Sequence, residues 1–334
     1  MPLSDARRFS IAPMMDWTDR HCRFFHRILT RRSLLFTEMI TSAALIRGGA
    51  DWLLRYNPEE HPVAIQLGGS DPEELAAAAK LSADFGYDEI NLNIGCPSDR
   101  VQSGRFGACL MAEPALVAEC VAAMKQAVDI PVTVKCRIGI DDQDSEADLN
   151  RFADAMVGAG TDVLYVHARK AWLQGLSPAQ NRDVPPLDYE RVYRLRERLS
   201  PLPVMINGGI EDLDAAEAHL GHVDGVMLGR AAYHNPSLLL DVDRRFFGDR
   251  VEQPSLEEIA RQMVAYAGRE MEKGVKLNQI ARHMIGIGHG LPGARRYRQI
   301  MTMEAVKPDA TPQLIEDALS IIAPHWQDRV GEAA

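Results

Sequence analysis

The chain has 334 residues, 46% of them hydrophobic and 25% charged, with a formal net charge of −10 at pH 7. That length exceeds the usual single domain, so one large domain plus a smaller one is expected, with the composition of an ordinary soluble globular protein. The excess of acid argues against indiscriminate nucleic-acid binding, although a local basic surface stays possible. The sequence has no apolar run of about 18 residues, so no membrane span is expected. The polar start, Met1 to Arg8, leads into a strand-like segment without a signal-peptide core. Five cysteines (Cys22, Cys96, Cys109, Cys120 and Cys136) lack metal-type spacing. They read as reduced thiols of a cytoplasmic protein. No obligate protein partner is evident.

In chain order, strand-like runs occur at Phe9–Met14, Leu34–Met39, Val63–Gly68, Glu89–Ile94, Val132–Ile138, Val163–Ala168, Val204–Gly208 and Gly225–Arg230. Helix-prone segments lie between them: Pro72–Phe85 behind the N-cap candidate Asp71, then Pro114–Val128, Ser145–Ala159, Asp188–Leu199 and Leu213–Leu220. Alternating βα units mean a parallel sheet. Eight of them match an α/β fold of the (β/α)8 TIM-barrel kind. The rival, a doubly wound open sheet, calls for a glycine-rich first turn, and Met14-Met15-Asp16-Trp17-Thr18 has no glycine. After Gly248 the strands stop. Leu256–Lys273, Lys276–Gly286 and Pro312–His325 read as helices of a small C-terminal domain. The expected boundaries are 1–247 for the barrel and 248–334 for the helical domain.

Barrel chemistry sits at the C-terminal ends of the strands. Those ends carry Pro13-Met14-Met15, Glu38-Met39, Gln66, Asn93 with Cys96, Lys135 with Arg137, His167 with Arg169, Asn207-Gly208-Gly209 and Gly229-Arg230. Glycines after strands seven and eight let backbone approach a phosphate, so a phosphate-bearing cofactor is the default ligand. Lys135 and His167 stand where its organic part would lie. A cation near the N1–C2=O edge of a flavin stabilises the reduced anion. Cys96, at a strand end before Pro97 and a glycine-bearing loop, is placed to give or take a proton. A basic window holds Lys273, Lys276, Arg282, Arg295, Arg296, Arg298 and Lys307 against the single acid Glu304.

Taken singly, each feature has a plainer reading. Cys96 could be a buried small side chain, Lys135 a solvated strand-end charge, and His167 a core histidine. Asn207-Gly208-Gly209 could be a turn, and the basic window a solvated face. Their co-occurrence at one barrel mouth favours a site.

The same residues carry a family resemblance over nearly the whole chain. Ala12-Pro13-Met14-Met15-Asp16, Asn91-Leu92-Asn93-Ile94-Gly95-Cys96-Pro97, Val134-Lys135-Cys136-Arg137-Ile138-Gly139, Val166-His167-Ala168-Arg169, Ile206-Asn207-Gly208-Gly209-Ile210 and Met227-Leu228-Gly229-Arg230 are similar to the tRNA-dihydrouridine synthases. Trp172-Leu173-Gln174-Gly175-Leu176-Ser177-Pro178, Asn181-Arg182, Pro185-Pro186-Leu187-Asp188-Tyr189 and His289-Gly290-Leu291-Pro292-Gly293-Ala294-Arg295 resemble the bacterial A-type subfamily. The resemblance implies FMN as cofactor, NADPH as reductant, and reduction of the uracil C5=C6 bond at positions 20 and 20a of the tRNA D-loop. It assigns Pro13, Met14, Met15, Gln66, Lys135, His167, Asn207, Gly208, Gly209, Gly229 and Arg230 to FMN. It makes Cys96 the proton donor, a general acid and not a covalent nucleophile, and gives Asn93 to the target uridine. It assigns Arg182, Arg295 and Arg298 to tRNA, and makes 1–247 the FMN domain and 248–334 the tRNA-binding domain. Position 179 departs from the pattern: Ala179 stands where a polar or basic side chain belongs. Two other classes stay open. An FMN barrel acting on a small free substrate accounts for the phosphate loops but not the basic tail. A non-catalytic RNA-binding barrel accounts for the tail but not for Cys96, Lys135 and His167 together.

Overall fold

The structure, a computed structural model, describes residues 3–48 and 51–326. Eight parallel strands close in sequence order. They are β1 (Phe9–Ile11), β2 (Leu34–Thr41), β3 (Val63–Gly68), β4 (Glu89–Ile94), β5 (Val132–Arg137), β6 (Leu164–His167), β7 (Val204–Asn207) and β8 (Gly225–Leu228). This is the expected (β/α)8 barrel. The first strand stops short of Met14. Its last ladder bond is Ala12 N–H to Leu228 O at 2.8 Å, and Pro13 then has no N–H to continue it.

The connecting helices follow their local signals. Pro72–Phe85 starts where the Asp71 carboxylate accepts Glu74 N–H, and it buries Leu75, Ala78, Ala79 and Ser82, one face at helical spacing. Ser145, Asp188 and Asp212 cap Glu146–Gly158, Tyr189–Leu199 and Leu213–His219 in the same way. Inside the barrel, Leu34, Phe36, Ala64, Tyr165, Met205 and Met227 form a buried apolar cluster. The corresponding alternate positions of β4 and β5 are polar: Glu89, Asn91 and Asn93, then Thr133, Lys135 and Arg137. A polar wedge thus replaces part of the usual apolar filling.

The chain divides into two compact units. One comprises the residues up to Asp16 and Leu34–Gly229; the other comprises Trp17–Ser33 and the residues from Arg230 on. The division therefore falls at 229/230, not at the expected 247/248, and the second unit takes in the first connecting helix, Arg20–Leu29. The reason is a set of long-range bonds. Asp19 caps that helix through His21 N–H and Cys22 N–H, and also accepts from Arg282 at 2.8 Å and contacts His283 at 3.0 Å. Asp243 accepts from Thr30 Oγ1 at 2.6 Å and from Arg31 N–H at 2.7 Å. Phe24 stacks on Tyr266 with ring centroids 3.9 Å apart, worth about 0.5–1.5 kcal/mol beyond the buried area.

The second unit is helical, as expected, but Ala294–Met303 is a helix where the sequence pattern suggests only connecting residues. It follows Pro292-Gly293 and begins with three arginines in five residues, which hides its apolar period. Its buried side is Ala294, Tyr297 and Met301. No helix among the described residues is long and apolar enough to cross a membrane.

Candidate active site at the barrel mouth

Cys96 follows β4 on a loop whose shape is set by Asn93. The Asn93 Oδ1 accepts Gly95 N–H at 3.1 Å and Cys96 N–H at 3.0 Å. Its Nδ2 donates to Gln66 Oε1 at 2.7 Å. The Cys96 thiol is half-buried and lies 3.6 Å from Ser98 Oγ. Beyond it, Cys96 O accepts Ala108 N–H at 2.9 Å. Gly107 permits this closure: its φ is +77°, and a Cβ there would stand 2.6 Å from Cys96 O and 2.3 Å from Val101 Cγ1.

Across the ladder, Asn93 pairs with Lys135 and Arg137 with His167. Lys135 Nζ donates to Asn207 Oδ1 at 3.1 Å. Asn207 is itself oriented, because its Nδ2 donates to Met227 O at 2.7 Å. Loss of hydration is the main cause that lowers Lys135 to about 8, with Arg137 adding to it. His167 is held well below its ordinary value by burial first, then by Arg137, Lys135, Arg169 and Arg182. It is therefore neutral at pH 7. Gly208, at φ +113°, makes room for its ring: a Cβ there would sit 2.4 Å from His167 Cδ2. The mouth is thus an electropositive ring of Lys135, Arg137, Arg169 and Arg182 around a neutral imidazole and a thiol.

The remaining positions expected around a cofactor mostly gather in the same unit. Gln66 is buried, Pro13 and Met14 are half-buried, and Met15 is exposed. Gly209 has φ +68°. Gly229 is not demanded by its neighbours, since a Cβ there would meet Met14 Sδ at 3.6 Å and Ala12 Cβ at 3.7 Å, ordinary contacts. Arg230 differs: it opens the helix Arg230–His234 and belongs to the second unit.

Of the residues expected to hold RNA, Arg182 is exposed at the end of the turn Gln180–Arg182. Ala179, also exposed, leads into that turn. In the second unit, Arg295 and Arg298 lie on one face of Ala294–Met303 with Gln299 and Thr302, all exposed. No carboxylate among the described residues pairs with Arg295 or Arg298. The basic window as a whole is less free than its count implies. Lys273 pairs with Glu270, Arg282 with Asp19, and Lys307 with Glu304.

Two further residues take roles that their sequence positions do not announce. Arg137 Nε donates to Gly95 O at 2.9 Å, and its Nη1 donates to Lys170 O at 3.0 Å and Asn181 O at 2.9 Å. Gln102 Nε2 donates to Pro97 O at 2.8 Å and Leu173 O at 2.6 Å. Together they tie the Cys96 loop to the loop after β6. The only sequence sign is the strand-end position of Arg137 beside Lys135; Gln102 has none.

Barrel and mouth define the class first: a closed (β/α)8 protein with cationic side chains and a thiol gathered at the C-terminal ends of its strands. The family model described as dihydrouridine synthase matches residues 10–322. The tRNA-dihydrouridine(20/20a) synthase of Vibrio parahaemolyticus is 55% identical, with 94% of this chain and 97% of its own covered. The protein of that name from Yersinia pestis is 52% identical over 99% of this chain and 96% of its own. A solved 2-naphthoyl-CoA reductase complex superposes with a TM-score of 0.55 at 11% identity, over 70% of this chain and 49% of its own, a likeness of fold alone. The chain belongs to the dihydrouridine synthase family.

Proposed function

We propose that the protein reduces the C5=C6 bond of uridines 20 and 20a in the tRNA D-loop, with FMN as resident coenzyme and NADPH as the source of electrons. The observation that carries this is the pairing across β4 and β5. Asn93, which holds the Cys96 loop, lies opposite Lys135, a half-buried cation whose hydrogen-bond partner, Asn207, is neutral. A partly desolvated cation without a carboxylate suits an anionic ligand edge.

The residues fit FMN. Lys135 would face the N1–C2=O edge, and Gln66 the polar edge of the ring. Pro13, Met14 and Met15 would lie along the ring, with His167 beside it. Asn207, Gly208, Gly209 and Gly229 would serve the phosphate end. When bound and reduced by NADPH, FMN supplies the hydride that adds to C6 of uracil.

The protein's own part is to bind, orient and protonate. The uridine must leave the RNA stack to enter the mouth. The Cys96 Sγ–H gives its proton to C5 as negative charge develops there, which completes the saturation. Asn93 holds the loop that carries the thiol and keeps one amide N–H to offer the base. Arg182, Arg295 and Arg298 grip phosphates of the tRNA. The names of the relatives support the choice of positions 20 and 20a.

The test is to incubate the purified protein with NADPH and unmodified tRNA and to map dihydrouridine by position. Dihydrouridine at 20 and 20a is expected. Reduction of free uridine at a comparable rate would point to a small-substrate reductase, and a colourless protein that takes up no FMN would overturn the reading.

A further inference from the structure

The inside of the barrel carries an unbroken chain of hydrogen bonds from its N-terminal end to the Cys96 loop. Arg7 Nε donates to Glu89 Oε2 at 2.7 Å. Thr133 Oγ1 donates to Glu89 Oε1 at 2.7 Å, far shorter than its 3.4 Å approach to Ile90 O. Asn91 Nδ2 donates to Thr133 Oγ1 at 2.9 Å. Gln66 Nε2 donates to Asn91 Oδ1 at 2.8 Å, and Asn93 Nδ2 to Gln66 Oε1 at 2.7 Å. Asn93 Oδ1 then accepts the N–H groups of Gly95 and Cys96. Glu89, Asn91 and Thr133 are wholly buried.

Both ends of this chain are fixed. An ionised carboxylate only accepts, and backbone N–H groups only donate. Burial pushes the Glu89 carboxyl up, opposed by the Arg7 guanidinium and the Thr133 hydroxyl. Arg7 Nε nevertheless lies 2.7 Å from Glu89 Oε2, the contact of an ion pair. With Glu89 as acceptor, Thr133 must donate to it, and its lone pairs face Asn91. Asn91 must then turn its amino group to Thr133 and its oxygen to Gln66. The same logic turns the Gln66 oxygen to Asn93 and the Asn93 oxygen to the loop. Three amides that could each stand either way round are left one way.

We propose that Thr133 and Asn91 are positioning residues for the active site, which relay the Glu89 anchor to the Gln66 amide and to the Asn93–Cys96 loop. Neither touches the thiol. They hold the Asn91 amide to which Gln66 donates, and so anchor the Gln66 side chain at the mouth and, through it, the Asn93 amide that carries the proton donor's loop. Bonds aligned in one donor sense also polarise each other, which strengthens the chain as a unit. The inference rests on the reductase reading above.

The test is Thr133→Val, which keeps the shape and removes the hydroxyl, with Thr133→Ser as the rescue. The expected result is a fall of roughly tenfold or more in the rate at which tRNA reoxidises the reduced flavin, with KM for tRNA within about twofold and recovery in the serine variant. A second readout needs no activity. In the flavin-free protein, the side-chain amide protons of Gln66, Asn91 and Asn93 should resist solvent exchange by NMR in the wild type and in Thr133→Ser, and lose that protection in Thr133→Val. A valine variant with the wild-type rate and protected amides overturns the proposal, as does failure of serine to restore either. If the valine variant does not fold, Glu89→Gln, which keeps the volume and removes the carboxylate anchor, must show the same fall; a wild-type rate there overturns the proposal. A wild type that forms no dihydrouridine would defeat the reductase reading instead, while the amide exchange would still decide the relay.

Discussion

Lys135 Nζ donates to the neutral Oδ1 of Asn207 at 3.1 Å, and no carboxylate among the described residues pairs with this cation. Without an anionic ligand the arrangement costs stability. Burial lowers Lys135 from 10.5 to about 8. Between those values the unfolded chain binds a proton that the folded chain has released, so the wild type gains stability as pH rises through that window. Lys135→Met is therefore expected to raise the melting temperature of the flavin-free protein at pH 7. That advantage should shrink between about pH 8 and 10. The same variant should bind FMN more weakly. Thermal unfolding against pH and a flavin titration check the two halves.

Cys96→Ala should leave reduction of the flavin by NADPH unchanged and slow its reoxidation by tRNA by about 10²–10⁴-fold, the usual contribution of a general acid. Stopped-flow absorbance separates the two half-reactions. Full dihydrouridine formation by this variant would remove the thiol from the mechanism.

Gly208→Ala places a Cβ 2.4 Å from His167 Cδ2 at a φ of +113°. Backbone strain and displacement of the imidazole act together. A loss of about 1–3 kcal/mol is expected, with lower flavin content in the purified protein. Denaturant unfolding measures the first and the visible spectrum the second.

Arg295→Ala and Arg298→Ala should each weaken tRNA binding and flatten its salt dependence by about 0.7–0.9 in the log–log slope for each phosphate that is no longer held. Lys273→Ala is the control. Its ammonium is 2.9 Å from the Glu270 carboxylate, so its removal should leave the slope nearly unchanged. Binding isotherms at three or four salt concentrations distinguish the two classes of cation.

Much of the fold and of the site is legible in the sequence. Asp71 ahead of Pro72–Phe85, and Ser145 ahead of Glu146–Gly158, mark helix starts by local chemistry. Cys96, Lys135, His167 and Asn207-Gly208-Gly209 stand out as polar or glycine positions at the ends of apolar strands. The helix Ala294–Met303 does not, because its buried side is only Ala294, Tyr297 and Met301 among arginines. Nor do the roles of Arg137 and Gln102. Arg137 meets carbonyls 42 and 44 residues away, and Gln102 reaches Leu173 across 71.

The chain by itself determined the eight strands and the capped helices between them, since an apolar run and a local cap are properties of neighbouring residues. It also determined the chemical types at the strand ends. Tertiary packing decided the rest. It brought Arg7 to Glu89 across 82 residues and set Lys135 against a neutral amide. Asp19, 263 residues before Arg282, joined the helical unit. Which partner satisfies a buried donor depends on every strand that surrounds it, and that is a property of the packed whole.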